Sequence, residues 1–333
     1  MKIIIPMAGM GKRMRPHTLT IPKPLIKIAG KPIVQRLVED ISSVCLEKID
    51  EIAYVIGDFG KETEDMLLSI ASEVGAFGKI YYQDTPLGTA HAILRAGPSL
   101  YGKIIVAFAD TLFKADFKLD ESRDGIIWVH KVDDPSSFGV VKTDNNEIIT
   151  DFIEKPKTHV SDLAIIGIYY FKEGEVLKTE LQYLIDNDIQ KSGEFQLTDA
   201  LENMKQKGTS FYTGKVNEWL DCGNKNATVY TNQRILEFHK NEKLVSDSAI
   251  IENSIINPPC FLGDNVKISN SIIGPYVSVG ANTAIDFSVI TESIVQSNTK
   301  ISCVNLDNSI IGNYVEYFGD KKEVSIGDYT VLS

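Results

Sequence analysis

The residues best suited to phosphate chemistry form a short glycine-rich segment near the N-terminus. Gly9 and Gly11 follow an apolar, strand-like run at residues 2–7, and Arg13 comes two residues later. A glycine-rich turn after a strand exposes backbone N–H groups that can cradle a phosphate, and a guanidinium matches the forked oxygens of a triphosphate. The segment therefore predicts a phosphate-binding turn, although a GxG alone is also typical of an ordinary turn.

Two common nucleotide-binding patterns are not matched by this segment. The P-loop pattern GxxxxGK[ST] does not occur, so a P-loop ATPase is not favoured. The dinucleotide pattern GxGxxG fails because Met14 stands where its last glycine belongs. Two lysine–proline pairs follow, at Lys23 and Lys31, and solvated surface positions are the plain interpretation of both lysines.

Two separated carboxylates could serve a metal ion. Asp110 ends the apolar run IIVAFAD, and Asp221 lies within WLDCG. A carboxylate at the carboxyl end of a central strand lies where α/β sheets bind ligands, and two carboxylates suit Mg²⁺, which also takes oxygens from phosphates. The alternatives are a turn or helix-capping role for Asp110 and a simple core position for Trp219.

The elements that must position these residues alternate between strand-like and helix-like patterns. The predicted strands lie at 2–7, 52–56, 79–83 and 104–109, and the predicted helices at 33–44, 66–74 and 89–96. In the second of these helices, Met66, Leu67, Ile70 and Val74 are expected to share one face. Such alternation predicts an α/β fold with a mostly parallel, Rossmann-like sheet that carries helices on both faces.

The chain becomes richer in strands after residue 125 without starting a new domain. The predicted strands lie at 126–130, 138–142, 147–153 and 163–171, followed by helices at 173–187 and 197–207. We therefore expect one catalytic domain over residues 1–240.

A six-residue rhythm of apolar side chains begins near residue 245. Ile250, Ile256, Leu262 and Ile268 are six apart, and the same step resumes at Ile273 after a slip of one residue. This rhythm is typical of a left-handed parallel β-helix in which each coil uses three hexads. Glycines at 263, 274, 280 and 312 are expected to mark the turns. We predict such a domain over 241–333, with less regular coils after residue 301 and an antiparallel sheet as the alternative.

Composition excludes several classes of partner. The 333 residues carry a net charge of −11, which argues against a nucleic-acid or anionic-membrane partner. The four cysteines show no zinc spacing, and no apolar run approaches the ~20 residues of a membrane span. The N-terminus does not resemble a signal peptide. We expect a cytoplasmic protein.

The segment AGMGKRMRPHTLTIPKPLIKIAGKPIV resembles the signature of the sugar-1-phosphate nucleotidyltransferase family. The likeness extends to glucose-1-phosphate thymidylyltransferases and UDP-glucose pyrophosphorylases in long forms with a β-helix tail. It implies a Mg²⁺-dependent enzyme that joins a sugar 1-phosphate to a nucleoside triphosphate and releases pyrophosphate. Lys12 departs from the family's usual threonine.

The resemblance assigns roles on the nucleotide side. Ala8, Gly9, Gly11 and Arg13 would wrap the nucleotide phosphates, and Lys23 would neutralise the pyrophosphate. Asp110 and Asp221 would bind the metal, although Asp110 lacks the family's usual flanking residues.

A second motif, Gln83 followed by PLGTA, resembles the base-recognition segment of the family, with Gly88 and Thr89 beside the base. A glutamine amide offers a donor and an acceptor to a pyrimidine edge. Gln83 therefore favours thymidine or uridine, although adenylyl-transferring relatives share this glutamine.

Further motifs match the sugar side of the family. Glu154 and Lys155 stand in its E-K-P triplet, where Lys155 would bind the sugar phosphate and Glu154 a sugar hydroxyl. Gly139, Gly167 and Glu194 match the remaining sugar-binding positions. For the triplet alone, an exposed loop is the plain alternative.

Three functional alternatives stay open at the level of sequence. Glucose 1-phosphate with dTTP or UTP is the first choice, and mannose 1-phosphate with GTP or an ADP-glucose type follows. A non-catalytic subunit of such an enzyme is a further possibility. An acyltransferase tail is not favoured because the last histidine, His239, precedes the repeats. The apolar tail also predicts a homo-oligomer.

Overall fold

The computed structural model describes residues 1–191, 193–320 and 323–331. It divides into two compact units, one made of Met1–Ile26 and Pro32–Gly223 and the other of Lys27–Lys31 and Asn224–Ser333. The domain boundary placed after residue 240 by sequence stays a prediction. Among the described helices, none has the length and apolar character that crossing a membrane would require.

Most predicted elements are present. The strands up to residue 221 are β1 (Lys2–Pro6), β2 (Lys27–Ile28), β3 (Lys31–Pro32), β4 (Glu51–Ile56), β5 (Phe77–Tyr82), β6 (Ile104–Ala107), β7 (Thr111–Lys114), β8 (Gly125–Lys131), β9 (Gly139–Thr143), β10 (Ile149–Glu154), β11 (Leu163–Phe171), β12 (Phe211–Lys215) and β13 (Glu218–Asp221). The α-helices are α1 (Ile33–Val44), α2 (Lys61–Glu73), α3 (Thr89–Arg95), α4 (Gly174–Asp186), α5 (Leu197–Gln206) and α6 (Lys225–Phe238). Of these, α2 begins five residues earlier than predicted, and β7, β12, β13 and α6 were not predicted.

The first unit is built on one nine-stranded mixed sheet. Its parallel core has the order β6-β1-β4-β5. β11 then pairs antiparallel with β6 and carries β8 and β9. The carboxyl ends of parallel strands meet at one edge of a sheet. The segments after β1, β5 and β6 are therefore brought together, and these segments contain Gly9, Gln83 and Asp110.

Helical periodicity placed α1 correctly and α2 with two errors, one of which is Val74, a half-buried residue just after the helix ends. The apolar residues Ile33, Leu37, Ile41 and Val44 of α1 are all buried, as predicted. In α2, Met66 is 36% exposed and is not part of the buried face. The buried stripe consists of Thr63, Leu67, Ile70 and Ala71. A threonine and an alanine complete this face, and a prediction based on large apolar side chains does not include them.

The second unit contains α6 and a stack of short parallel strands. These are β14 (Ile250–Glu252), β15 (Ile255–Ile256), β16 (Cys260–Leu262), β17 (Lys267–Ser269), β18 (Ile272–Ile273), β19 (Val277–Val279), β20 (Ala284–Asp286), β21 (Val289–Ile290), β22 (Ile294–Val295), β23 (Lys300–Ser302), β24 (Asn305–Leu306), β25 (Ile310–Ile311) and β26 (Glu316–Phe318). They form three sheets with every third strand in the same sheet. This arrangement confirms the predicted left-handed parallel β-helix, and its coils continue regularly past residue 301.

The coils are shorter than three hexads. Asn265 and Asn282, which occupy equivalent corners, are 17 residues apart, and the next step from Asn282 to Asn298 is 16. The shortening occurs where β19, with three residues, is followed in its sheet by β22, with two. The six-residue rhythm therefore slips in each coil because the sides of the prism differ in length.

The interior confirms most of the predicted stack. Leu262, Ile268, Ile273, Val279 and Ile285 are all buried. By contrast, Ile250 is 47% exposed and Ile256 is only partly buried. Both belong to the first coil, which has a neighbouring coil on one side only. The predicted core position is therefore wrong for Ile250 and only partly correct for Ile256.

Asparagine rather than glycine makes one row of corners along the coils. Asn265, Asn282 and Asn298 all have φ near +57°, at 56°, 58° and 58°, and their side chains hydrogen-bond in a ladder. Asparagine tolerates this left-handed conformation better than most residues. Gly280 has another role, because a Cβ there would lie 2.6 Å from the Ser297 nitrogen of the next coil.

Candidate functional site

The glycine-rich segment after β1 forms a tight turn against Lys23. Gly11 has φ +58°, and its carbonyl accepts a hydrogen bond of 2.8 Å from the Thr18 hydroxyl. A Cβ at Gly11 would lie only 3.0 Å from the Cβ of Lys23. Glycine therefore suits this left-handed backbone conformation, and its lack of a side chain permits the close approach of the lysine.

Most of the residues assigned to the nucleotide line one cavity of about 280 Å³. The predicted residues in its wall are Ala8, Gly9, Gly11, Lys23, Gln83, Gly88, Thr89, Asp110 and Glu194. An adjoining cavity shares Gly9, Gly11 and Lys23 and adds Arg13 and Gly223. The two cavities thus bring the phosphate and base candidates together with Asp110, and Glu194, predicted on the sugar side, lies with them.

The two candidate metal ligands converge through strand pairing. β13 runs antiparallel to β7, so Asp221 stands opposite Thr111, the residue after Asp110. The backbone N–H of Cys222 donates a hydrogen bond of 2.8 Å to the Asp110 carbonyl. Long-range pairing between residues near 111 and 221 therefore creates the pair of carboxylates.

Electrostatics show that the two carboxylates share one environment. Burial and the negative charge of Asp110 raise the pKa of Asp221 above its ordinary value. The N–H of Gly223, which donates to Asp221 Oδ1 at 2.9 Å, and the charges of Lys23 and Arg13 act in the opposite direction. Crowded negative charge of this kind is what a bound divalent cation would neutralise.

Two cations approach the carboxylates from the glycine-rich side. Lys23 Nζ lies 2.5 Å from Asp110 Oδ2, with the lysine side chain 13% exposed. A Cβ on Gly223 would lie 2.9 Å from Asp221 Oδ1 and 3.0 Å from Arg13 Nη2. Arg13 and Asp221 therefore both approach Gly223, where the lack of a side chain leaves room for them.

The base end of the cavity is organised around Gln83 and Gly88. Gly88 has φ +111°, and a Cβ there would lie 2.5 Å from the Phe195 carbonyl oxygen. Phe195 also hydrogen-bonds the backbone of Leu87 and Ala90. Thr89 Oγ1 accepts a hydrogen bond from the Leu197 N–H. The segment around Phe195 thus holds the start of α3 beside the cavity.

His91 is a site residue that sequence reasoning missed. Its Nδ1 lies 3.0 Å from the Gln83 side-chain nitrogen. The histidines were judged scattered along the sequence, but His91 lies three residues after Gly88 on a helix that begins at Thr89. That spacing places His91 within one helical turn of Gly88, so the sequence alone could have indicated that His91 lies near the base motif.

The sugar-side residues form a cluster on β9 and β10. Gly139 pairs with Glu154, and a Cβ at Gly139 would lie 3.1 Å from Glu154 Oε2. The Lys155 ammonium lies 3.5 Å from Glu154 Oε1, and its side chain is 64% exposed. Gly139, Glu154 and Lys155 do not line the two cavities described above. Gly167, in contrast, touches Phe108, which does.

Trp219 connects this cluster to the carboxylates. Its ring packs edge-on against Phe138 with centroids 4.9 Å apart, and Phe138 accepts a backbone hydrogen bond from Lys155. The Trp219 indole N–H donates to the Thr111 hydroxyl at 2.6 Å. Trp219 is only half-buried, so a simple core role does not describe it.

Comparison with known proteins identifies the family. A family model described as nucleotidyl transferase matches residues 2–237. The chain belongs to the nucleotidyl transferase family, and its relatives include enzymes that act on sugar phosphates.

Three curated relatives illustrate the range of the family. The low-salt glycan biosynthesis nucleotidyltransferase Agl11 of Haloferax volcanii is 29% identical over 273 residues, which cover 77% of this chain and 72% of that protein. The bifunctional protein GlmU of Methanococcus maripaludis is 31% identical, with coverage of 77% and 58%. The catalytic subunit beta of mannose-1-phosphate guanylyltransferase from Drosophila melanogaster is 29% identical, with coverage of 79% and 71%. The chain thus spans somewhat more than half of the GlmU relative.

The fold is also found in solved structures. UDP-glucose pyrophosphorylase complexed with UDP-glucose superposes with a TM-score of 0.59 at 24% identity, over 71% of this chain and 98% of that one. At this identity the likeness shows the fold alone.

Proposed function

We propose that the chain transfers a nucleotidyl group from dTTP or UTP to glucose 1-phosphate and releases pyrophosphate. The observation that carries the proposal is the convergence of Asp110 and Asp221 beside the glycine-rich turn. The family match supports nucleotidyl transfer in general. The choice of sugar and base rests on the base motif with Gln83 and on the sugar-side motifs.

The reaction requires no covalent enzyme intermediate. An oxygen of the sugar phosphate attacks the α-phosphorus in line, the bond from that phosphorus to the bridging oxygen breaks, and pyrophosphate leaves. The chain's task is to position the two substrates and to neutralise charge on the leaving group. Backbone N–H groups near Gly9 and Gly11 would hold the phosphates. Arg13 and Lys23 would offset the negative charge that develops on pyrophosphate.

Asp110 and Asp221 fit a magnesium ion. Both offer hard oxygen ligands, and the raised pKa of Asp221 reflects burial and the charge of its neighbour. Among the described residues, no group of three or more acidic, histidine or cysteine side chains could hold an ion. A pair leaves coordination positions for water and phosphate oxygens. When bound, the metal supplies Lewis-acid stabilisation of the phosphate oxygens.

We further propose that Lys155 and Glu154 receive the sugar phosphate. The Lys155 side chain is 64% exposed, so its ammonium is accessible to a phosphate from solvent. Gly139, which pairs with Glu154, and Gly167 would border the sugar. Glu194 in the wall of the nucleotide cavity would contact the sugar where the two substrates meet.

Mannose 1-phosphate with GTP is the second candidate, supported by the guanylyltransferase relative. A matrix of dTTP, UTP, GTP, ATP and CTP against glucose, mannose and N-acetylglucosamine 1-phosphates, read by pyrophosphate release, separates the candidates. We expect the highest kcat/KM with dTTP or UTP and glucose 1-phosphate. A higher kcat/KM with another pair of substrates would reject that choice. No turnover with any pair would favour a non-catalytic subunit.

Oligomeric state and location remain proposals as well. We propose a homo-oligomer, which light scattering coupled to gel filtration would detect as a mass above that of one 36.9 kDa chain. A cytoplasmic location would be tested by fractionation of the source cells.

A further inference from the structure

The carboxamide of Gln83 is held in one orientation. Its nitrogen lies 3.2 Å from the Gly88 carbonyl oxygen, and Gln83 is only 8% exposed. A backbone carbonyl can only accept a hydrogen bond, so the NH₂ group and not the oxygen must face it. The assignment of the amide oxygen and nitrogen, which is usually ambiguous for glutamine, is therefore fixed by this hydrogen bond.

His91 takes the second N–H of the same group. Its Nδ1 lies 3.0 Å from the Gln83 nitrogen and must therefore be the unprotonated, accepting atom of the ring. Burial, together with the positive charge of Arg95, lowers the pKa of His91 and so favours the neutral ring. A neutral ring with its proton on Nε2 is the form that this contact needs.

Both N–H groups of Gln83 are consequently used inside the protein. In the part of the chain that the structure describes, Gln83 Oε1 has no hydrogen-bond partner, and it is not among the fully buried unsatisfied atoms. Gln83 lines both cavities of the site. The side chain thus offers the cavity an acceptor only, which narrows the donor-and-acceptor role expected from sequence.

We propose that His91 is a positioning residue that, with the Gly88 carbonyl, fixes Gln83 so that Oε1 alone reads the nucleotide base. This rests on the proposed function, since it places the base in the same cavity. Uracil, thymine and guanine carry a ring N–H that donates to such an acceptor. Cytosine and adenine have an unprotonated ring nitrogen at the equivalent place, and its lone pair repels Gln83 Oε1. The site therefore selects bases by the protonation of one ring nitrogen.

The test replaces His91 and measures nucleotide discrimination. His91→Phe keeps a ring but removes the acceptor, His91→Ala is a smaller second variant, and His91→Asn restores an acceptor near the position of Nδ1. Steady-state kcat and KM are measured with UTP, dTTP, GTP, CTP and ATP. Calorimetric titration of the same nucleotides, without sugar phosphate, reports binding independently of turnover. The melting temperature of each variant reports folding.

We expect the wild-type protein to prefer the three nucleotides with a ring N–H over CTP and ATP. In His91→Phe and His91→Ala the amide can rotate, so KM for the preferred nucleotide should rise about 3- to 10-fold with kcat little changed. Discrimination against CTP should fall by a similar factor. His91→Asn should recover most of the wild-type discrimination.

Several results would overturn the proposal. These are a wild-type preference for CTP or ATP, unchanged discrimination in a folded His91→Phe or His91→Ala variant, and failure of a folded His91→Asn variant to restore it. Absence of nucleotide binding by the wild-type protein would overturn it too. If the wild-type protein binds UTP selectively but releases no pyrophosphate, the proposed function fails while the role of His91 is still decided by calorimetry.

Discussion

Lys23 Nζ lies 2.5 Å from Asp110 Oδ2, so the cation that follows the glycine-rich turn is paired with the carboxylate that follows β6. The partners are 87 residues apart in sequence. Their side chains are 13% and 34% exposed, so the pair is partly shielded from water. Asp110 would hold a metal ion, and a lysine held there would neutralise negative charge on a phosphate bound beside it.

Replacing Lys23 by methionine should remove this charge and keep most of the packing. We expect kcat/KM for pyrophosphate release to fall about 100-fold, since removing one group that stabilises transition-state charge commonly costs ~3 kcal/mol. Lys12→Met is the control, because Lys12 is an exposed lysine of the glycine-rich segment that lines the adjoining cavity but not the cavity of Asp110. Equal effects of the two substitutions would show that only the general positive field matters.

Replacing Lys155 by alanine should act on the sugar phosphate rather than on the nucleotide. A lost charge-assisted hydrogen bond is worth about 1.5–3 kcal/mol, so KM for the sugar 1-phosphate should rise at least about 10-fold. KM for the nucleotide should stay within about twofold, the scale of effects below ~0.5 kcal/mol. Lys157→Ala, two residues along the same exposed segment, is the control. A rise confined to the nucleotide KM would move Lys155 to the other substrate.

Gly88→Ala should disturb the base end of the cavity through sterics. Its φ of +111° disfavours any side chain, and the added Cβ would meet the Phe195 carbonyl at 2.5 Å. Gly60→Ala has a similar positive φ of 79° with no atom within 4 Å, so it isolates backbone strain. We expect strain of about 1–3 kcal/mol in both variants. A further loss of thermal stability and of nucleotide binding should occur in Gly88→Ala alone, and indistinguishable variants would contradict the close contact.

The asparagine corners of the β-helix can be tested at Asn282. Asn282→Ala and Asn282→Gly both remove the ladder bonds to Asn265 and Asn298. Only alanine also pays for the φ of 58°, at about 1–2 kcal/mol. Asn282→Ala should therefore melt at a lower temperature than Asn282→Gly. Equal melting temperatures would mean that this corner relaxes to another conformation.

The sequence predicted local structure better than the meeting of distant residues. The spacing of apolar residues was enough for α1 and β11, whose bounds match the structure. Met66 was misplaced because Thr63 and Ala71, which are small or polar, complete the buried face of α2. Local periodicity carries no information on which exposed positions a neighbouring element will cover.

The site residues were also predicted better individually than in their contacts with distant residues. The order of the parallel strands brings Gly9, Gln83 and Asp110 to one edge, and family motifs indicated each of them. The pairing of β7 with β13, which brings Asp221 to Asp110, has no local signal in either segment. The contact between His91 and Gln83 depends on how α3 packs against β1 and β4, so only the helical spacing from Gly88 pointed to it.

The most direct test of the account is pyrophosphate release by Asp221→Asn as Mg²⁺ is titrated, with Asp186→Asn on the exposed end of α4 as the control. If Asp110 and Asp221 together hold the ion, Asp221→Asn should lose at least about 100-fold in kcat while its melting temperature stays close to that of the wild-type protein. Chelation of the metal should abolish turnover of the wild-type and Asp186→Asn proteins alike. Near-normal, Mg²⁺-dependent release by a folded Asp221→Asn protein would contradict the assignment.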